Sequence, residues 1–83
     1  MTLNEFRATR RPCENLAAAL PDYGIPANRP GYLYADGSLY IEELPHADGQ
    51  PLYMLTIAND SWIETLAELE ARLYAYAKRE EII

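Results

Sequence analysis

The sequence predicts an α+β fold: N-terminal helical segments, a three-stranded antiparallel meander, and a long C-terminal amphipathic helix packed on the sheet. Three observations support this prediction. Residues 31–44, GYLYADGSLYIEEL, are typical of a β-hairpin, and residues 52–58 continue the apolar pattern after a turn-rich loop. Apolar residues then recur at helical spacing from residue 61 onward. With 83 residues, the chain is predicted to be a single domain over residues 1–83.

The predicted N-terminal helical region covers residues 2–20. Thr2 and Glu5 have the spacing of a capping box, in which each side chain bonds to a free backbone N–H at the helix start. A second helical piece is expected from Pro12, because proline is tolerated in the first turn of a helix. Residues 21–30, PDYGIPANRP, contain three prolines and a glycine and are therefore predicted to be a connector without regular structure.

The meander is predicted from three runs rich in tyrosine and aliphatic residues. Strands at residues 31–35 and 38–44 flank Asp36-Gly37, which suits a two-residue turn with both residues at positive φ. A third strand, residues 52–58, follows the loop and is expected to pair with the second strand. Both faces of this sheet carry apolar side chains, so we expect both to be covered.

The long helix is predicted over residues 61–80. Ser61 and Glu64 match a second capping box at its start. An apolar stripe then recurs at alternating steps of four and three residues: Trp62, Leu66, Leu69, Leu73 and Tyr76. This spacing is typical of a helix that lies on a sheet. Glu68 precedes Arg72 by one turn, so the two side chains are expected to pair.

Charge is distributed unevenly along the chain. The net charge is −6, and residues 31–70 contain eight acidic residues without any Lys or Arg. Such a surface repels a phosphate backbone, which argues against direct nucleic-acid binding and favours a protein partner with a basic surface. The chain has one cysteine, no recognisable signal peptide, and no apolar run of the roughly 18 residues that span a bilayer. We therefore expect a cytoplasmic protein that does not bind membranes.

The sequence contains no recognisable catalytic constellation. Cys13 and His46 are the only cysteine and the only histidine, and no pattern brings them together as a nucleophile and its base. His46 and Asp48 alone would be too few ligands for a metal ion. We therefore expect no enzymatic activity, no metal site and no cofactor.

The partner-binding hypothesis rests on the seven tyrosines and on the acidic block. Tyrosine is enriched at interface hot spots, although half-buried strands also favour it. If the long helix covers the face that carries Tyr32 and Tyr34, the opposite face must contact the N-terminal helix or another chain; that face carries Leu33, Tyr40, Leu52 and Met54. The residues predicted to bind a partner are Leu33, Tyr40, Glu42, Glu43, Met54, Glu64 and Glu68.

In size, acidity, absence of catalytic groups and helix-plus-meander layout, the chain resembles the small phage and prophage proteins called anti-CRISPRs. This resemblance is one of overall profile across the whole chain, rests on no motif and assigns no residue. It implies an inhibitor that docks on a positively charged nucleic-acid site of a CRISPR complex or nuclease, with DNA mimicry as one mode. The alternative hypothesis is a structural protein that forms a homodimer and covers its second sheet face with its own copy.

Overall fold

The computed structural model describes residues 1–46 and 48–83 and shows an α+β fold built on one five-stranded antiparallel sheet. The strands are adjacent in chain order: β1 (Arg11–Cys13), β2 (Gly31–Tyr34), β3 (Leu39–Leu44), β4 (Leu52–Ile57) and β5 (Asp60–Glu64). The helices are α1 (Leu3–Ala8), α2 (Leu16–Ala19) and α3 (Leu66–Arg79), with a 3₁₀ turn at Pro21–Tyr23. The prediction of a three-stranded meander is wrong, because β1 and β5 add one edge strand on each side.

The first additional strand, β1, lies within the region 2–20 that was predicted to be helical. Its three residues pair with β2, and Pro12 is opposite Tyr32. The sequence signal at Pro12 was ambiguous, because proline is compatible both with a first helical turn and with an edge strand. Helix α2 is correspondingly short and begins only at Leu16. A three-residue strand is too short to show an alternating pattern, which is why the sequence did not reveal β1.

The second additional strand, β5, replaces the first residues of the predicted helix 61–80. It forms a tight hairpin with β4 through Ala58 and Asn59, and Ala58 takes a positive φ of 55°. Trp62 and Ile63 are residues that favour strands, and their pairing with β4 outweighs the helical pattern around them.

Helix α3 begins at a capping box that lies one turn later than the predicted one. The Thr65 hydroxyl accepts a hydrogen bond from the Glu68 N–H at 3.2 Å, and the Glu68 carboxylate accepts one from the Thr65 N–H at 3.4 Å. Ser61 and Glu64 have the same spacing but belong to β5. The predicted box at Thr2, by contrast, is confirmed at the start of α1.

The β2–β3 hairpin has the predicted register, with Tyr34 opposite Leu39. Its turn differs from the prediction, because the loop covers four residues, 35–38, and not two. Ala35 and Gly37 have positive φ angles of 56° and 96°, whereas Asp36 does not. The Asp36 carboxylate instead accepts a hydrogen bond from the backbone N–H two residues later, at 3.0 Å, which stabilises the loop.

The hydrophobic core lies between the sheet and the pair α1 and α3. Its buried members come from both helices and from the three central strands: Phe6, Tyr34, Leu39, Ile41, Leu55, Leu69, Leu73 and Ala77. The part of the predicted apolar stripe that lies in α3, from Leu66 to Tyr76, therefore does face the sheet, whereas Trp62 belongs to β5. Among residues 1–46 and 48–83, no helix combines the length and the apolar character that crossing a membrane requires.

Candidate protein-binding surface

The sheet has one face covered by α1 and α3 and a second face turned away from them. Tyr34 and Ile41 point into the core, and their neighbours along each strand point to the other side because side chains alternate. Leu33, Tyr40 and Met54 therefore share the second face, as the sequence predicted. That these residues bind a partner remains a prediction.

Part of this second face is left uncovered. Leu44 lies opposite Leu52, and Met54 lies opposite Ile63, so the four side chains are contiguous across β3, β4 and β5. Leu52 and Ile63 are 46% and 59% exposed, and Leu44 and Met54 are half-buried. We call these four residues the open patch. The patch extends onto β5, which is an edge strand of the sheet.

The other half of the second face is covered by α2 and the connector. The side chain of Leu16 is fully buried and packs against Gly31, where an added Cβ would lie 2.7 Å from the leucine Cδ1 and 2.1 Å from the Ile41 carbonyl oxygen. Only glycine fits this close approach. Beside it, the Tyr23 and Tyr40 rings meet edge to face, with centroids 5.6 Å apart. The N-terminal segment thus shields β2 and β3 and reaches the margin of the open patch at Leu44.

Glu42 lies between the covered half and the open patch. It is only 4% exposed, and its nearest cation is the Arg29 guanidinium, 3.8 Å from a carboxylate oxygen. Burial raises the pKa of the Glu42 carboxyl, and the arginine opposes that rise. Glu42 is therefore part of the packed structure and has little surface to offer a partner.

The remaining predicted acidic residues do not form one surface. Glu64 forms two hydrogen bonds with Arg72, at 2.5 and 3.1 Å, and the hydrogen bonds with this guanidinium lower the pKa of the Glu64 carboxyl. Glu68 is engaged in the capping box of α3, so its predicted pairing with Arg72 is replaced by the Glu64 pair. Glu43 alternates with Glu42 and lies on the opposite side of the sheet.

Sequence analysis did not identify the most buried carboxylate, Glu70. It is 2% exposed and accepts hydrogen bonds from the Tyr34 hydroxyl at 2.6 Å and from Arg10 at 3.1 Å. Arg7 lies 3.3 Å from its second oxygen. Burial and the neighbouring carboxylate raise the pKa of Tyr34 well above its ordinary value. This cluster ties α1, α3 and β2 together and is structural.

The fold and this surface define a small α+β domain with one helix-covered and one partly open sheet face. In the described part of the chain, no group of three or more His, Cys, Asp or Glu side chains is placed to hold a metal ion. Comparisons with protein-family models, curated proteins and solved structures found no match.

Proposed function

We propose that this chain is a protein-binding module without catalytic activity, which docks through the open patch. The observation that carries the proposal is the contiguity of Leu52 and Ile63, two of the most exposed large apolar side chains, with Met54 and Leu44. Apolar side chains that cluster on an open sheet face are typical of an interaction site, whereas single exposed apolar residues are not.

The charge around the patch favours a partner with a basic surface. Residues 31–70, which supply the whole patch, include no Lys or Arg, and the exposed Asp48 lies in the β3–β4 loop that joins Leu44 to Leu52. Arg29 of the connector lies beside Leu44 at the margin of the patch, where its charge is paired with Glu42. An apolar centre with an acidic rim would accelerate association with a basic protein and exclude acidic ones.

A narrower form of this proposal is an inhibitor that docks on a basic nucleic-acid site of a larger complex. The acidic block supports it, but Glu42, Glu64 and Glu68 already have partners within the chain. A DNA mimic that used these three carboxylates would have to give up those interactions. We therefore propose that the apolar patch supplies most of the binding energy. The other exposed carboxylates would attract a basic partner and speed its association.

The first experiment is capture of partners from a nuclease-treated lysate of the source organism with the tagged protein. We expect Ile63→Asp to lose the captured protein, because it places a charge in the centre of the patch while retaining the acidity. Ala75→Asp adds the same charge to the exposed side of α3 and is the matched control, which should capture as the wild type does. Equal capture by the Ile63→Asp variant would contradict the proposal.

A measurement of mass in solution tests the alternative, in which the second copy is the partner. Light scattering coupled to size exclusion should give the 9.4 kDa monomer if the partner is a different protein. A mass of twice that value, reduced to the monomer by Ile63→Asp, would assign the patch to self-association.

A further inference from the structure

A cleft of about 560 Å³ opens at the end of the sheet that carries the β2–β3 turn. The pairing of β3 with β4 ends at Glu42 and Met54, although both strands continue past this pair. The cleft lies beyond that point, where residues of both strands line it together with α3 and the 3₁₀ turn. Its volume is within the range of small-molecule sites, roughly 300–1,000 Å³.

The walls of the cleft combine an apolar floor with aromatic and acidic groups. Leu39, Leu55 and Leu73 belong to the buried core and reach the cleft. Three tyrosines and one acidic residue also line it: Tyr23, Tyr40, Tyr76 and Asp22. Among the described residues, Asp22 is the only charged side chain that lines the cleft, and no Lys, Arg or His does so.

Three features favour a positive charge in this cleft. Tyr23 and Tyr40 both line the cleft, and their rings meet edge to face at an angle of 61°. Ring faces attract cations, and Tyr76 already holds the Arg79 guanidinium 5.8 Å from its centroid. The C-terminal end of α3 also lies beside the cleft, and this end of a helix carries a partial negative charge.

We propose that the cleft binds a small organic ammonium ion with an apolar stem. The stem would lie on the leucine floor, and the cationic head would lie among the tyrosine rings near Asp22. An anion would meet the Asp22 carboxylate and the helix end with like charge, and the Arg79 guanidinium over the Tyr76 ring offsets part of that repulsion, so the site should bind an anion more weakly than a cation. This proposal does not depend on the protein-binding function, because the cleft and the open patch share no residue.

Three probes with the same six-carbon stem test the site: hexyltrimethylammonium, hexan-1-ol and hexanoate. In two-dimensional ¹H–¹⁵N NMR titrations of the full chain, we expect the cation to shift the amide signals of Tyr40, Thr56 and Tyr76 selectively. Hexanoate at the same concentration should shift them less, and hexan-1-ol should bind more weakly than the cation. Equal binding of all three probes, or shifts confined to other residues, would overturn the proposal.

Variants distinguish binding of the cation at this site from non-specific binding elsewhere on the protein. Asp22→Asn and Tyr23→Leu should each weaken binding of the cation by about two- to fivefold, the range of a single exposed cation–π or charge contact. Asp48→Asn makes the same change of charge in the β3–β4 loop, at the other end of the sheet, and should have no effect. Arg79→Gln should tighten binding, because it removes the guanidinium that competes for the Tyr76 ring. Unchanged affinity in all three cleft variants would overturn the proposal.

Discussion

Glu70 shows how one residue can connect most of a small fold. Its carboxylate accepts hydrogen bonds from Tyr34 on the sheet and Arg10 after α1, and it pairs with Arg7 on α1. If the Glu70 side chain lost its negative charge, the Arg7 and Arg10 guanidinium groups and the buried Tyr34 hydroxyl would have a weaker acceptor. Because Arg7 and Arg10 keep 35% and 41% of their side-chain surface exposed, water can compensate part of that loss.

We therefore predict that Glu70→Gln lowers the free energy of unfolding by roughly 2–4 kcal/mol, somewhat less than the loss of a fully buried partner. Urea denaturation at pH 7, followed by circular dichroism, measures this difference. Glu80→Gln, near the end of the same helix and exposed, is the control and should change the stability by less than about 0.5 kcal/mol. Similar stabilities of the two variants would show that the cluster contributes little.

The sequence could not identify this role for Glu70. By composition it is one more member of the acidic block, and its hydrogen-bond partners lie 36 and 60 positions away. A lone glutamate within a helical pattern is usually solvent-exposed, so local reasoning assigns it to the surface. Gly31 is a similar case, because its need for a small side chain arises from the distant Leu16.

At the scale of elements, sequence patterns predicted the features that depend on residues close together in the chain. The β2–β3 register follows from alternation around one turn, and the apolar stripe of α3 follows from its own spacing. β1 and β5 gave no such signal. β1 depends on pairing with residues 18 to 22 positions away, and β5 has the spacing of a capping box within a strand. The open patch was therefore predicted only in part: Leu52 and Met54 were placed on the candidate face, but Ile63 was assigned to the helix.

The two candidate capping boxes give a direct test of where α3 begins. We predict that Thr65→Ala lowers the free energy of unfolding by about 1 kcal/mol, because it leaves a backbone N–H at the helix start without its acceptor. Ser61→Ala should cost less than about 0.5 kcal/mol, since among residues 1–46 and 48–83 this exposed hydroxyl bonds only to Thr56. Urea titrations of both variants measure the difference. A larger effect at Ser61 would place the helix start at the position that the sequence suggested.

At the scale of the whole molecule, the burial of tyrosine hydroxyls makes the stability of the fold depend on pH. Burial is the main cause that raises the pKa of Tyr34, Tyr40 and Tyr53 above the ordinary value of 10.0. The folded state therefore holds these protons more tightly than the unfolded state does. The resulting stability is fully present below pH 10 and is lost as the pH rises through the pKa values of the folded protein.

At acidic pH, the carboxylates do not change the stability of the fold in a single direction. Hydrogen bonds lower the pKa of Glu5 and Asp36, so the stability they contribute is lost as the pH falls through the folded values. Burial raises the pKa of Glu42, so its contribution is present below the ordinary value of 4.5 and is lost as the pH rises. These effects oppose one another, whereas the three tyrosines act in one direction. We therefore expect the free energy of unfolding to depend on pH most clearly in alkaline solution.

We predict that the free energy of unfolding declines steadily above pH 10, and that Tyr34→Phe makes this decline shallower, because the group with the largest raised pKa no longer titrates. The variant should be less stable than the wild type at pH 7, since it lacks the hydrogen bond to Glu70, so the slope and not the absolute value is the diagnostic quantity. Urea unfolding between pH 8 and pH 11, with Tyr23→Phe as an exposed control, gives both slopes. Equal slopes for the wild type and Tyr34→Phe would contradict the raised pKa of the Tyr34 hydroxyl in the folded state.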